Sequence, residues 1–373
     1  MNISSHDYFS NGVRNENLSK DLVEKYNRIR IKTISHNCYP VLTLKHLSLL
    51  TETDYFFLRR VVSGKQFAYH RIEHLKADGT VRNLYSPILD LKIVQRWILD
   101  FILSSVENSS SSYAYENGKS IFDAAEKHIG NKWMLKIDLR NFFDSIDEIS
   151  IYKIFNELGY SEILSFEFSR LCTIRRKRTG DLNIPSKLPY APRNPGHLPQ
   201  GAPTSGQLAN IFLKNFDKEI ELFSINNDLI YTRYSDDLIF SSNKIITGNK
   251  ASIIINKVST EALKLGLEIN SRKTILIPPG KHKKVLGLIV DSHGVHVPKK
   301  YVSDLKWHIR QSDLYGVLEY SQQRGFQSPE GFINFINGNL SFIKAPNPVL
   351  YNSLKRRWSN IIQKYRISQG IFY

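Results

Sequence analysis

Asp236 and Asp237 are adjacent in Tyr234-Ser235-Asp236-Asp237, between two apolar, β-prone runs, Leu229-Ile230-Tyr231 and Leu238-Ile239-Phe240. That pattern puts both carboxylates at the tight tip of a β-hairpin, where clustered acidic oxygens suit a divalent cation. Aspartate is also a favoured turn residue, so the pair taken alone means only a turn. It has company. Upstream lies Met134-Leu135-Lys136-Ile137-Asp138-Leu139-Arg140-Asn141-Phe142-Phe143-Asp144-Ser145-Ile146, and between the two lies Leu198-Pro199-Gln200-Gly201-Ala202-Pro203-Thr204-Ser205. Other chemistries find less support: none of the eleven His forms an HExxH pattern, and no Ser/His/Asp order stands out. Each His reads as a surface residue or a satisfied core residue.

To act together, Asp138 and the Asp236-Asp237 pair, nearly a hundred residues apart, need a strand end and a hairpin tip to meet. A sheet with a central hairpin does this, and the local patterns supply its parts. The first sixty or so residues, polar and then mixed, read as a helical extension. A hairpin turning at Ala77-Asp78-Gly79-Thr80 joins His74-Leu75-Lys76 to Val81-Arg82-Asn83-Leu84-Tyr85. Ser86 and Pro87 are a helix-start signal, followed by Leu91, Val94, Ile98, Phe101 and Ile102 on one face. Asn108 to Ser112 reads as a Ser-rich loop, Ile121 to His128 as a helix, and Trp133 as the start of the Asp138 strand. From Cys172 to His197 the chain is basic and Pro-rich (Arg175-Arg176-Lys177-Arg178, then Pro185, Pro189, Pro192 and Pro195), the composition of a mobile loop. A helix over Ala251 to Leu265 carries Ile253, Ile254, Ile255, Val258 and Leu263. The tail from Lys299 is helical. Its last helix starts at Asn347-Pro348 and buries a stripe of Leu350, Leu354, Trp358, Ile361 and Tyr365, leaving Lys355, Arg356, Arg357, Lys364 and Arg366 for other faces.

The composition narrows the partner. In 373 residues, 51 Lys and Arg stand against 35 Asp and Glu, a formal charge of +16 that favours a polyanion such as nucleic acid. An acidic membrane surface is the weaker choice, because no run approaches the length of an uncharged spanning helix and Met1 to Asp7 lacks the apolar core of a signal peptide. With Cys38 and Cys172 as the only cysteines, the chain has no disulfide framework and no cysteine-based zinc site, which fits a reducing cytoplasm.

In order and spacing, the segments around Asp138, Gln200-Gly201 and Asp236-Asp237 resemble motifs A, B and C of reverse transcriptases. The resemblance covers roughly residues 66 to 365 and implies an α+β, right-hand polymerase fold. Its parts are an N-terminal helical extension (1–65), fingers (66–132 and the basic insertion 151–197), palm (133–150 and 198–298) and a helical, RNA-binding thumb (299–373). It implies two Mg²⁺ ions with Asp138 and Asp236 as principal ligands, Asp237 as a secondary one and the carbonyl of Leu139 as a further oxygen. Phe143, five residues after Asp138, becomes the aromatic that lies under the incoming sugar and leaves no room for a 2′-hydroxyl, which points to deoxynucleotides. Gln200 hydrogen-bonds near that sugar, while Gly201 lets backbone come close to the template. Gly266-Leu267-Glu268-Ile269-Asn270-Ser271-Arg272-Lys273-Thr274 resembles motif D, with Lys273 near the leaving phosphates as a catalytic proton donor. Val285-Leu286-Gly287-Leu288-Ile289-Val290 resembles the primer-positioning hairpin of motif E. Arg82, and more weakly Lys76, become triphosphate contacts, and Tyr234, Lys355, Arg356 and Arg357 contacts to nucleic acid.

Within the superfamily the chain looks most like the bacterial retron type: compact, without RNase H, integrase or endonuclease regions, and with Gln-Gly-Ala-Pro-Thr-Ser in motif B. Three positions depart from that pattern. Ala124-Ala125-Glu126-Lys127-His128 keeps the Ala and His of Asn-Ala-x-x-His but not its Asn, Val285-Leu286-Gly287 stands for Val-Thr-Gly, and Ser235 stands where Ala is commoner. The resemblance implies an RNA-directed DNA polymerase that reverse-transcribes part of a structured noncoding RNA from a 2′-hydroxyl, leaves a branched RNA-DNA product and serves antiphage defence with an effector protein. Other readings are another bacterial defence or group II intron-like enzyme, or a non-catalytic RNA-binding scaffold. A scaffold needs neither the carboxylates nor Phe143.

Overall fold

The computed structural model of the chain describes residues 10, 20–75, 79, 81–175 and 195–368. Three helices come first: α1 (Lys20–Ser35), α2 (Leu44–Leu50) and α3 (Tyr55–Ser63). Leu47, Phe57 and Leu58 of α2 and α3, with Val41 from the link before α2, enter one large core together with Phe155 and Phe168 from further along the chain. The hairpin of β1 (Tyr69–Leu75) and β2 (Val81–Pro87) follows. Ser86 and Pro87, expected to open a helix, are the end of β2, because pairing of Tyr69 with Pro87 and His70 with Ser86 holds them extended. The helix α4 (Leu89–Phe101) starts beyond them and buries Leu91, Val94, Gln95 and Ile98, while Phe101, expected on that face, is 50% exposed.

After α5 (Ile121–Glu126) come β3 (Trp133–Asp138), the short α6 (Phe142–Ser145), α7 (Glu148–Glu157) and α8 (Glu162–Cys172). The basic stretch after Cys172 is not irregular throughout. Its flanks, β4 (Ile174–Arg175) and β5 (Gly196–His197), pair as a small ladder, and the amide of Gly196 donates to buried Glu148 at 2.7 Å. Positions 176–194 lie outside the described residues. Then follow α9 (Ser205–Phe212), α10 (Lys214–Asn226), β6 (Ile230–Tyr234), β7 (Asp237–Ser242), α11 (Gly248–Lys264) and β8 (Ile275–Ile277). On α11 the buried face is Ala251, Ile254, Val258 and Ala262; Ile253 and Leu263, expected on the stripe, face solvent because the helix packs along a narrower line.

β6, β7, β3 and β8 form one antiparallel sheet in that order. Its two central strands carry apolar residues on both faces because both faces are covered. Leu135, Ile137, Leu238 and Phe240 point into the large core, while Met134 and Ile239 point into a smaller one with Ala125, Val285 and Leu288. A slip of one residue would exchange these two sets, so the register that sets Asp138 opposite Asp237 is held from both sides. The smaller core is closed by β9 (Lys283–Val285), β10 (Leu288–Val290) and β11 (Val295–His296). β9 and β10 form the expected hairpin, turning at Leu286 and Gly287, both at positive φ.

The remaining helices, α12 (Lys299–Tyr315), α13 (Val317–Gln323), α14 (Pro329–Lys344) and α15 (Pro348–Ser368), have a core of their own around Ile309, Phe332, Ile336 and Trp358. α15 starts where Asn347 accepts from the amide of Leu350, and it buries Leu354, Trp358 and Ile361 with Leu350 and Tyr365 packed alongside, as the stripe predicted. Among the described residues no helix is long and apolar enough to cross a membrane.

Candidate active site

The β6–β7 hairpin closes with Tyr234 opposite Asp237, leaving Ser235 and Asp236 as a two-residue tip. Ser235 takes a left-handed φ of 59° to make that turn. Asp138 ends β3 directly opposite Asp237, and opposed residues of an antiparallel pair share one face with Cβ atoms about 4.5–5.5 Å apart. Leu139 ties the tip to this strand end, its amide donating to the Asp236 carbonyl at 3.0 Å. The sheet thus gathers the three predicted aspartates. Burial first, and then the charge of Asp138, pushes the Asp236 carboxyl above its ordinary value; burial, and then the charge of Asp236, does the same to Asp237.

The fourth predicted catalytic residue is here too. Lys273 lies in a 3₁₀ turn (Ser271–Lys273) before β8, and its Nζ is 2.9 Å from Asp138 Oδ2. That hydrogen bond raises the Lys273 pKa. Asn270, not singled out from the sequence, grips the same aspartate twice: its side-chain amide donates to Asp138 Oδ1 at 3.0 Å, and its backbone amide to the Asp138 carbonyl at 2.7 Å. Among the described residues no group of three or more His, Cys, Asp or Glu is gathered closely enough to hold a metal ion by itself. The carboxylates form an open acidic edge.

Behind that edge is a polar scaffold that the sequence did not reveal. Arg233, fully buried, donates from Nε and Nη2 to the Asp217 carboxylate at 2.7–3.1 Å, and from Nη1 to Asn210 Oδ1 at 3.1 Å and to the Ser235 carbonyl at 3.2 Å. It fastens the hairpin tip to α9 and α10. His128 is the satisfied core histidine of the sequence reading: its ring nitrogens lie 2.6 Å from Ser241 Oγ and 2.8 Å from Thr232 Oγ1, pinning β7 and β6. Burial lowers its pKa to about 4, so the ring is neutral near pH 7.

The Ser-rich segment, expected to be a loop, runs beside β6. Ser112 bridges to Arg233, the Arg233 amide donates to the Ser111 carbonyl at 2.7 Å, and the Tyr113 amide donates to the Arg233 carbonyl at 2.9 Å. Two residues on, Tyr115 has a φ of 59°, a conformation that costs a bulky residue about 1–3 kcal/mol unless its surroundings hold it there. Half-buried Phe143, at the start of α6, packs against Tyr115 and Phe142.

Gln200 and Gly201 lie in the turn leading to α9, with the Gln200 carbonyl accepting from the amide of Tyr85 on β2 at 2.8 Å. The close approach that needs Gly201 is to this strand: at φ 115°, a Cβ there would meet the Tyr85 carbonyl oxygen at 3.1 Å. Arg82 is exposed on the same β2, whereas Lys76 lies outside the described residues. Tyr234 is half-buried beside the aspartates. The predicted basic contacts belong to the separate helical core: on α15, Lys355 is half-buried, Arg356 is exposed, and Arg357 Nη2 is 3.2 Å from Asp313 Oδ2 on α12.

Comparison with known proteins agrees with this geometry. A family model described as "Reverse transcriptase (RNA-dependent DNA polymerase)" matches residues 74–290, which hold the three aspartates, Phe143, Gln200 and Lys273. Retron Ec86 reverse transcriptase of Escherichia coli is 28% identical over 92% of this chain and 96% of its own length. Two retron reverse transcriptases of Myxococcus xanthus are similar as well: Mx162 at 27% identity over 73% of this chain, and Mx65 at 30% over 76%. The chain spans 56% and 62% of those two proteins. With three carboxylates on one sheet edge and more than half of its length matched by the model, the chain belongs to the reverse transcriptase (RNA-dependent DNA polymerase) family, as an α+β RNA-directed DNA polymerase of the bacterial retron type.

Proposed function

We propose that the chain copies part of a structured noncoding RNA into DNA, priming from a 2′-hydroxyl within that RNA and leaving a branched RNA-DNA product. The observation that carries the chemistry is the opposed pair Asp138 and Asp237 with Asp236 at the adjoining tip. An all-oxygen, open carboxylate edge suits Mg²⁺, which takes part of its shell from substrate phosphates. Asp138 and Asp236 would be the main ligands of two such ions, with Asp237 and the Leu139 carbonyl as further oxygens; when bound, the ions stabilise the attacking 3′ oxygen and the leaving pyrophosphate.

The chain's own side chains do the rest. Phe143 lies under the sugar and excludes a 2′-hydroxyl, selecting deoxynucleoside triphosphates. Gln200 and Gly201 line the sugar and template side, while Arg82 and Lys76 hold the triphosphate from the fingers hairpin. Lys273, protonated near pH 7 as a lysine ordinarily is, would be the proton donor to pyrophosphate. Tyr234, Lys355, Arg356 and Arg357 contact nucleic acid. In this reading residues 1–65 are the extension, 66–132 and 151–197 the fingers, 133–150 and 198–298 the palm, and 299–373 the thumb. In this reading, by its resemblance to retrons, the chain serves antiphage defence in the cytoplasm with an effector protein encoded nearby.

Nucleic acid copurifying with the chain, expressed from its own locus, tests the proposal. DNA joined to RNA and released by a 2′-5′ debranching enzyme is the expected result. RNA alone, or none, would overturn the branched-product reading.

A further inference from the structure

Tyr115 is placed by three independent contacts. Its ring lies flat on α9 at Gly206, so close that a Cβ added there would be 2.4 Å from Tyr115 Cγ. Its hydroxyl is 3.1 Å from Ser235 Oγ at the hairpin tip. Its ring meets Phe143 edge-on, centroids 6.2 Å apart at 65°. The segment leading to it is fixed as well: Tyr113 is bonded to Arg233, and the Ala114 carbonyl accepts from Asn210 at 2.7 Å. The left-handed turn at Tyr115 then sends the ring between α9, the tip and Phe143. A strained backbone, a helix position without room for a methyl group, and a serine at the tip all serve this single ring. The tyrosine remains 51% exposed, so it borders the open side of the site rather than filling a core.

We infer that Tyr115 is a positioning residue for nucleotide selection: locked between Gly206 and Ser235, its ring holds Phe143 in place as the wall against the sugar. The inference rests on the reading of Phe143 as that wall. It gives Ser235 a purpose, since alanine at the tip could not bond the tyrosine hydroxyl. It also accounts for Gly206 inside a helix, where alanine is otherwise favoured.

The test is the ratio of kcat/KM for a ribonucleotide to that for the matching deoxynucleotide, with a melting curve for each variant. With Phe143 intact, Tyr115→Ala should raise the ratio about tenfold, and Gly206→Ala, which keeps the tyrosine but pushes its ring off the seat, should raise it in the same direction. Tyr115→Phe, which keeps the ring on Gly206 but loses the bond to Ser235, should raise it by less than Tyr115→Ala. Combining Tyr115→Ala with Phe143→Ala should add little to Phe143→Ala alone, because both open the same wall. If Phe143→Ala raises the ratio while Tyr115→Ala and Gly206→Ala only lower the melting temperature, Tyr115 is packing and the inference falls. If Phe143→Ala itself leaves the ratio unchanged, the sugar-wall reading falls and the inference with it.

Discussion

Asp138 and Asp237 face each other across the β3–β7 ladder, two acidic side chains on a strand pair otherwise sealed between two apolar cores. The opposition is fixed by the burial of Met134, Leu135, Ile137, Leu238, Ile239 and Phe240, so the charges cannot separate without unpacking the sheet. Lys273 offsets one of them. An arrangement of this kind costs stability for function.

Like charges opposed on a sheet destabilise by a few tenths to about 1 kcal/mol. Asp237→Asn should therefore raise the melting temperature in a chelating buffer while lowering Mg²⁺-dependent DNA synthesis. Adding Mg²⁺ should raise the melting temperature of wild type by more than that of the variant. A variant that melts below wild type in chelator would show that the two carboxylates do not repel.

His128 makes stability depend on pH in a known direction. Its folded pKa, about 4, lies below the ordinary 6.5, so the unfolded chain takes up the proton first. The stability due to the neutral ring is complete above pH 6.5 and is lost as pH falls towards 4. Of the stability wild type loses between about pH 7 and pH 4.5, roughly 2–3 kcal/mol should be absent from the loss in His128→Gln. Parallel losses in urea unfolding of the two proteins would mean that His128 accepts a proton in the folded state.

Arg356 and Arg357 should differ in their contribution to RNA binding. Arg356 is exposed, whereas Arg357 is paired with Asp313. If Arg356 neutralises one phosphate of a single strand, Arg356→Ala should reduce the slope of log K against log salt by roughly 0.7, and Arg357→Ala by less. Slopes equal to wild type for both variants would remove this helix from the RNA contact.

What could be read from sequence was what neighbouring residues decide. The Asp236 tip, the Trp133 start of β3 and the α15 stripe each follow from alternation, helical spacing or a cap within a few residues. Local signals failed where distant pairing overrode them. Ser86-Pro87 became strand because Tyr69 and His70 paired with it, and the Ser-rich loop was drawn alongside β6 by Arg233. At the site, the carboxylates were visible as motifs while their holders were not. Lys273 and Asn270 reach Asp138 across 135 and 132 positions, and in Tyr113-Ala114-Tyr115 nothing local says that the second ring takes the left-handed turn. Arg233 and Asp217 sat in view, but nothing in their spacing says that both are buried and paired.

The most direct test of the account is primer extension on an RNA template with deoxynucleotides and Mg²⁺, comparing wild type with Asp236→Asn and Asp138→Asn. The amides preserve volume but remove the charge that would hold the cations. Wild type should extend the primer, and both variants should fall to background while still folded, Asp236→Asn melting near or above wild type in chelator and Asp138→Asn somewhat lower because its amide loses the Lys273 ion pair. Extension at the wild-type rate by either folded variant would contradict the assignment of DNA synthesis to this acidic edge.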